Sequence, residues 1–363
     1  MLASVGRAGQ GGRPGVFTPS QGDGASSGPP RSLYSARLDA IELLRGNLLS
    51  PIVLAFALGL VATWVKSDLK LPEPLYQALS IYLLLAIGIK GGVELSHTPL
   101  NELALPALGA VALGAATPLW CIAILRTLGK LDLANSAAIA AHYGSVSAVT
   151  FLAATSFLDA AGEPYEGFVS ALVAVLEVPA IVVALLVARR AREEAGPGAA
   201  SWGAALHEVL AGRSIVLLVG GLVIGALSGK QGIEPVAPLF QGLFRGALVL
   251  FLLEMGMVAA RRMGDLRKVG TFLAAFAVVM PVLHAVVGLL VGKATGLSQG
   301  GATVLAVLSA SASYIAAPAA VRIALPQANP TWSLAASLGV TFPFNLAIGI
   351  PLYHELAQRL YAG

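Results

Sequence analysis

Charged side chains are scarce in this chain of 363 residues, where Asp, Glu, Lys and Arg together make up 12%. Soluble globular domains carry about 25% charged residues. Hydrophobic residues reach 56%, and the net charge of +4 comes without a long basic run. This shortage of polar surface excludes a soluble enzyme, a disordered protein and a nucleic-acid-binding protein. The composition predicts an all-α polytopic membrane protein.

Cysteine and enzyme motifs are also scarce. The single cysteine, Cys121, lies in an apolar stretch, so no intrachain disulfide can form. The chain has no His-Glu-x-x-His metal motif and no Gly-x-x-x-x-Gly-Lys phosphate-binding loop. These absences argue against an enzyme and against a self-contained ATP-driven pump. Transport would then be passive or driven by an ion gradient.

Long apolar runs are abundant, and each run of roughly 20 residues can cross a bilayer. Loops that follow odd-numbered runs hold 13 Lys and Arg, against 3 after even-numbered runs. Basic loops stay in the cytoplasm, so both termini are predicted outside it. The ten predicted spans are 47–65, 74–90, 103–125, 136–158, 167–188, 214–228, 237–260, 269–291, 301–325 and 333–353.

The first 45 residues differ from the rest of the chain. Residues 1–36 are rich in Gly, Pro, Ser and Arg and contain no apolar signal-peptide core. We expect 1–45 to be a disordered tail, with an organellar transit peptide as the alternative. The rest of the chain is predicted to form two five-span units, at 46–190 and 214–363, joined by a cytoplasmic linker at 191–213.

The two units resemble each other at a nearly constant offset. An odd number of five spans per unit places the second copy upside down, as in many secondary transporters. Chance similarity between apolar segments is the alternative. The matching stretches are Leu85–Ile89 with Leu253–Met257, Ser145–Ser147 with Ser311–Ser313, and Val178–Pro179 with Phe342–Pro343.

Spans four and nine each contain helix-breaking and hydroxyl residues at their centre, over 142–150 and 309–318. Non-helical backbone is tolerated at membrane depth only where it is buried in protein or lines a cavity. Freed N–H groups and half-helix N-termini carry partial positive charge. The pair predicts a midplane anion site without arginine. Close helix packing through small residues is the other interpretation.

Glu177 lies in the middle of span five, next to Pro179. A carboxylate at this depth is expensive and by default functional. Carbonyls left free by the proline could complete a cation site with hard oxygen ligands. The equivalent region, Thr341–Asn345, offers a hydroxyl and an amide. Pairing of Glu177 with a buried base is the alternative.

Several stretches resemble the sodium-dependent bicarbonate transporter family, including the cyanobacterial high-affinity bicarbonate permeases. They are Gly88–Leu95, Ser311–Arg322, Ser337–Asn345 and Gly349–Pro351, and the likeness covers about 45–360. The resemblance implies ten helices in two inverted five-helix repeats, with crossover helices 4 and 9 broken. It also implies a homotrimer whose core domain moves against a gate domain in an elevator-type cycle.

The resemblance further implies symport of bicarbonate with Na⁺ into the cytoplasm. Carried onto this chain, the bicarbonate ligands are Gly144, Ser145, Val146, Ser147, Ser311, Ala312 and Ser313. The Na⁺ ligands are Glu177, Thr341 and Asn345. Cyanobacterial members are regulated by a small PII-like protein, but the short 189–213 loop weakens that expectation here.

Two departures from the family pattern bear on the site. The chain has Glu177 where the cyanobacterial members have Asp, and Val146 where they have Gly between two serines. We therefore keep two alternatives: a Na⁺- or H⁺-coupled transporter of another small anion or carboxylate, and a passive anion channel. The expected location is the plasma or inner membrane, or an organellar membrane if the tail is a transit peptide.

Overall fold

A computed structural model of the chain describes residues 33–193, 203, 207, 210–265 and 270–363. Regular structure within these residues is helical, and they contain no strand. Among the described residues, seven helices are long and apolar enough to cross a membrane, or eight if Ile41–Leu48 and Pro51–Trp64, bent by 57°, form one span. The prediction of an all-helical polytopic membrane protein is confirmed at this level.

The helices of the first half overlap the first five predicted spans. Predicted span four corresponds to two helices, α5 and α6, and α3 continues past Lys90, where span two was expected to end. The bounds are α1 Leu33–Leu48, α2 Pro51–Trp64, α3 Glu73–Leu95, α4 Leu100–Thr127, α5 Leu133–Gly144, α6 Ala148–Ala161 and α7 Val169–Glu193.

The helices of the second half overlap the other five spans. Predicted span 237–260 becomes helix α9 only from Phe244, since Pro238–Gly242 forms a short π-helical turn. Arg322 is one of the 13 basic residues assigned to loops, although predicted span 301–325 contains it, and in the structure it lies inside α12. The bounds are α8 Arg213–Ile233, α9 Phe244–Met263, α10 Gly270–Ala294, α11 Gln299–Ala310, α12 Ala316–Ala324 and α13 Pro330–Ala362.

Helix α1 covers part of the segment expected to be a disordered tail. The helix spans Leu33–Leu48, whereas 1–32 lie outside the described residues, and the disordered tail over 1–45 stays a prediction. The end of α1 is held because Asn47 Nδ2 donates to Leu346 O of α13 over 2.9 Å. Ser50 then caps α2, where its hydroxyl accepts from Val53 N.

Helices α2, α3, α8 and α9 pack closely on one another, α2 against α9 and α3 against α8. Glycines allow these contacts. A Cβ atom on Gly59 would collide with Leu253 O, and one on Gly225 would collide with Ile89 O. Backbone-to-backbone packing of this kind is typical of membrane helices, where small residues bring dispersion contacts close. We call these four helices the scaffold group.

The other close packing joins α4, α5 and α7, and joins α10 to α11. We call α4–α7 and α10–α12 the core group. The segment Leu133–Ala161, which contains α5 and α6, is 94% buried in its apolar window, whereas Arg213–Val236 of α8 is 22% buried. The broken helix is therefore shielded by protein, and α8 presents an apolar face outward.

The predicted linker 191–213 is described only in part. Helix α7 continues through Glu193 and α8 begins at Arg213. Most of the residues between these two helices lie outside the described residues. The loop invoked for a PII-like regulator is therefore not tested, and that partner stays a prediction.

Candidate substrate and ion site

Helices α5 and α11 are built alike. Each has 12 residues and begins after a side-chain cap, Asp132 for α5 and Ser298 for α11. Each then ends in extended backbone, with φ −86° and ψ 167° at Ser145, and φ −80° and ψ 169° at Ser311. The two predicted breaks therefore leave their helices in the same conformation.

The two breaks are hydrogen-bonded to each other. Ser147 N donates to Ser311 Oγ over 2.9 Å, and Ser313 N donates to His142 O over 2.8 Å. The Ser147 hydroxyl also donates to Tyr314 OH over 3.0 Å. The structure thus brings the predicted anion-binding stretches together, and we call Gly144–Ser147 with Ser311–Tyr314 the crossing.

The crossing combines both signs of helix-end charge. Helix α6 starts there with Ser147 Oγ accepting from Thr150 N, and at the start of α12 Ser313 Oγ accepts from Ala317 N. Helices α5 and α11 end there. Helix N-termini carry partial positive charge and C-termini partial negative charge, so the crossing suits an anion beside a cation.

One hydroxyl of the crossing has no partner. Ser311 Oγ accepts from Ser147 N and donates to Leu308 O, whereas Ser145 Oγ makes no hydrogen bond within the described residues. Ser145 is only 1% exposed. A buried hydroxyl without a partner is unfavourable, so Ser145 is the group of the crossing that a ligand would satisfy.

The other predicted anion-site residues shape the crossing. Val146 and Ala312 are buried, at 4% and 3% exposure. A Cβ atom on Gly144 would lie 2.6 Å from Pro118 Cγ and 2.9 Å from Ala180 Cβ. Only glycine lets the last turn of α5 fit between α4 and α7 at this point.

The predicted Na⁺ ligands Thr341 and Asn345 lie on α13, in two five-residue π-helical segments. The Thr341 hydroxyl donates to Ala277 O over 2.6 Å and lies 2.7 Å from Tyr143 OH. Asn345 Nδ2 donates to Ala310 O over 2.8 Å. Each residue therefore contacts the last turn of one half-helix, Thr341 at α5 and Asn345 at α11.

Glu177, the third predicted Na⁺ ligand, is 4% exposed on α7. It has no hydrogen bond or ion pair within the part of the chain that the structure describes. The alternative that a buried base neutralises it is therefore not found there. Ala180, one turn further along α7, reaches Gly144 of the crossing. No described contact joins Glu177 to Thr341 or Asn345.

Three tyrosines that the sequence reasoning did not assign hold this site together. Tyr143 reaches Thr341, Tyr314 reaches Ser147, and Tyr353 OH donates to Asn345 Oδ1 over 2.8 Å. Tyr143 and Tyr314 each stand beside a break in an otherwise apolar span, a signal that could have identified them. Tyr353 follows Asn345 by eight residues on α13, away from both breaks, and carries no such signal.

The stretch Gly296–Gly300 has the Gly-x-Ser-x-Gly spacing of serine hydrolases. In the structure Ser298 Oγ accepts from Gly301 N and donates to Glu166 Oε2, each over 3.1 Å. The hydroxyl is used as a helix cap. The pattern is therefore structural at this position.

Two cavities adjoin the core group. The first, about 590 Å³, lies between α3 and α9 on one side and α6 and α7 on the other. It follows α6 from Asp159 to Phe151, which is one turn short of the crossing. The second, about 520 Å³, lies among α1, α2, α6 and α13. Residues of the crossing line neither cavity.

Comparison with known proteins gives one family. No curated protein matches the chain. The family model of the Na⁺-dependent bicarbonate transporter superfamily matches residues 51–358. The matched region runs from the start of α2 into the last turn of α13, and it contains both broken helices, Glu177, Thr341 and Asn345. The chain belongs to the Na⁺-dependent bicarbonate transporter superfamily.

Proposed function

We propose that the chain is a secondary active symporter that carries bicarbonate into the cytoplasm together with Na⁺. The observation that carries this proposal is the crossing, where two half-helices begin and two end around a buried hydroxyl that has no partner among the described residues. Family membership supports Na⁺-dependent bicarbonate transport.

Bicarbonate binds at the crossing in this proposal. Ser145 Oγ donates to one of its oxygens, and the starts of α6 and α12 supply partial positive charge. The other members of the predicted set, Gly144, Val146, Ser147 and Ser311–Ser313, shape the pocket and hold its backbone. A monovalent anion needs no arginine here, because half-helix N-termini serve anions in other transporters.

Na⁺ binds beside the anion, nearer to the ends of α5 and α11. Glu177 contributes the carboxylate, which has no partner among the described residues. Thr341 and Asn345 each retain an oxygen lone pair after the hydrogen bonds they make. A carboxylate at membrane depth is costly alone, and a cation at that position offsets much of the cost.

Coupling follows from charge. Bicarbonate alone adds a negative charge to a low-dielectric site that already contains Glu177, and repulsion opposes it. Na⁺ first neutralises Glu177, and its field then favours the anion. Each ion therefore raises the affinity for the other, which is the reciprocity that symport requires.

The transport cycle in this proposal moves the core group against the scaffold group. Its basis is an inverted repeat of five spans. Two observations support that repeat. Helices α5 and α11 have equal lengths, and the first-half helices α2 and α3 pack against the second-half helices α9 and α8, respectively. Exposed apolar side chains on α2 and α8 fit lipid or a second copy, so trimeric assembly stays a prediction.

The deciding experiment is uptake of labelled bicarbonate into proteoliposomes, with and without an inward Na⁺ gradient. Symport predicts accumulation above equilibrium only with the gradient. Accumulation that ignores Na⁺ would point to the H⁺-coupled alternative, and equilibration without accumulation would point to a channel. Competition by formate, nitrate and acetate then separates bicarbonate from other small anions and carboxylates.

A further inference from the structure

A continuous polar chain crosses the rim of the 590 Å³ cavity. Lys90 Nζ donates to Tyr165 OH over 3.4 Å, and Tyr165 OH donates to Asp159 Oδ1 over 3.2 Å. Arg245 Nη2 donates to the second carboxylate oxygen, Asp159 Oδ2, over 3.2 Å. All four side chains line the cavity. We call them the rim chain.

The rim chain joins the two groups of helices. Lys90 belongs to α3 and Arg245 to the first turn of α9, both in the scaffold group. Asp159 belongs to the last turn of α6, and Tyr165 to the loop between α6 and α7. Helix α6 begins at the crossing and carries Asp159 12 residues after Ser147, about 18 Å along the helix axis. Movement of the crossing against the scaffold therefore pulls directly on these contacts.

The contacts are weak enough to break and reform during a transport cycle. The Arg245 and Asp159 side chains are 65% and 38% exposed, and exposed ion pairs contribute little to stability. Burial, and next the charge of Asp159, raise the pKa of the Tyr165 phenol. The hydroxyl therefore stays protonated and keeps donating to Asp159.

We propose that the rim chain is a latch that closes the cavity and must open for an anion to reach the crossing. Lys90 and Arg245 hold the rim from the scaffold side, and Asp159 with Tyr165 holds it from the core side. The inference rests on the proposed movement of the two groups. Its ligand is any small anion that uses the cavity, since the latch itself does not select bicarbonate.

Cysteine accessibility tests the latch on the purified full-length chain in detergent. Cys121 is fully buried, so it can remain in place. Leu152→Cys introduces a thiol on the wall of the cavity, seven residues before Asp159 on α6 and about 10.5 Å nearer the crossing. Its labelling rate with a charged methanethiosulfonate reports opening. In this background we expect Arg245→Gln and Asp159→Asn each to raise the rate by roughly two- to fivefold, the effect of losing one exposed ion pair.

Two further variants make the test specific. Arg245→Asp combined with Asp159→Arg restores the pair with its charges exchanged, and we expect its labelling rate to return toward that of the parent. Arg359→Gln removes an equally exposed arginine that pairs with Glu355 inside one helix, and we expect no change.

Unchanged labelling in both Arg245→Gln and Asp159→Asn would overturn the latch. So would a charge-exchanged variant that labels as fast as the single variants. Because labelling needs neither Na⁺ nor bicarbonate, this result is independent of the uptake assay. Failure of Na⁺-driven uptake by the unaltered chain would instead count against the proposed function.

Discussion

Replacement of Ser145 by alanine separates ligand binding from folding at the crossing. Most polar groups there hold the fold as well: Ser311 Oγ accepts from Ser147 N, and Ser147 Oγ caps α6. Ser145 Oγ makes no internal hydrogen bond among the described residues. Its removal therefore leaves the protein's own network intact and removes a donor that only a ligand would use.

The magnitude follows from this difference. A hydrogen bond to a charged group contributes about 1.5–3 kcal/mol. Since about 1.4 kcal/mol corresponds to a tenfold change in affinity, Ser145→Ala should weaken bicarbonate binding by roughly 10- to 100-fold. The free energy of unfolding should change by less than about 1 kcal/mol, because the hydroxyl is 1% exposed and the described part of the chain offers it no partner.

Two measurements on one preparation test this prediction. The concentration dependence of Na⁺-driven bicarbonate uptake gives KM and the maximal rate, and thermal unfolding in detergent gives the melting temperature. Ser136→Ala is the matched control. Ser136 lies on α5, the helix that ends just before Ser145. It is fully buried and lacks a partner among the described residues, but it lies nine residues before Ser145, about 13.5 Å along the axis of α5.

The expected pattern is a raised KM for Ser145→Ala alone, with both variants as stable as the parent chain. Equal KM values for Ser145→Ala and the parent would refute the assignment of this hydroxyl to the anion. A large fall in melting temperature would show that the hydroxyl supports the fold, which contradicts the argument from its missing partner.

Three more predictions concern the cation, the scaffold and the tyrosines. Glu177→Gln should abolish the activation of uptake by Na⁺. The control variant Glu355→Gln, whose glutamate pairs with an arginine, should retain that activation. Activation by Na⁺ that persists in Glu177→Gln would contradict the cation site. Gly221→Ala should lower the melting temperature by a few degrees, because the added Cβ atom would lie 2.8 Å from Gly88 Cα. Gly220→Ala is the control: its Cβ atom would have open space around it, so the melting temperature should stay unchanged. Tyr314→Phe loses the hydrogen bond to Ser147 but keeps the ring that contacts Phe342. Uptake assays should show the KM for bicarbonate raised by roughly fivefold. An unchanged KM would contradict a role for Tyr314 in the site.

Local signals in the sequence located most of the helices and both breaks. Ten apolar runs coincide with helices or helix pairs, because a bilayer requires long apolar segments and α-helices satisfy their own backbone hydrogen bonds. The serines at 145–147 and 311–313 lie where the chain leaves the helix. The docking of α1 carries no such local signal, because its end is held by Asn47 reaching a carbonyl of α13 almost 300 residues away.

The sequence by itself determined that this is a polytopic helical membrane protein, and its stretches identified the transporter family, because hydropathy and helix-breaking residues act locally. Tertiary structure alone decided which serine hydroxyl of the crossing has no partner among the described residues. Ser145 and Ser311 are equivalent in sequence, yet Ser311 accepts from Ser147, 164 residues away, while Ser313 N donates to His142 O instead of Ser145. The rim chain likewise depends on three separate helices and a loop meeting at one cavity. Such choices depend on hydrogen bonds between distant segments, and a local pattern does not specify those partners.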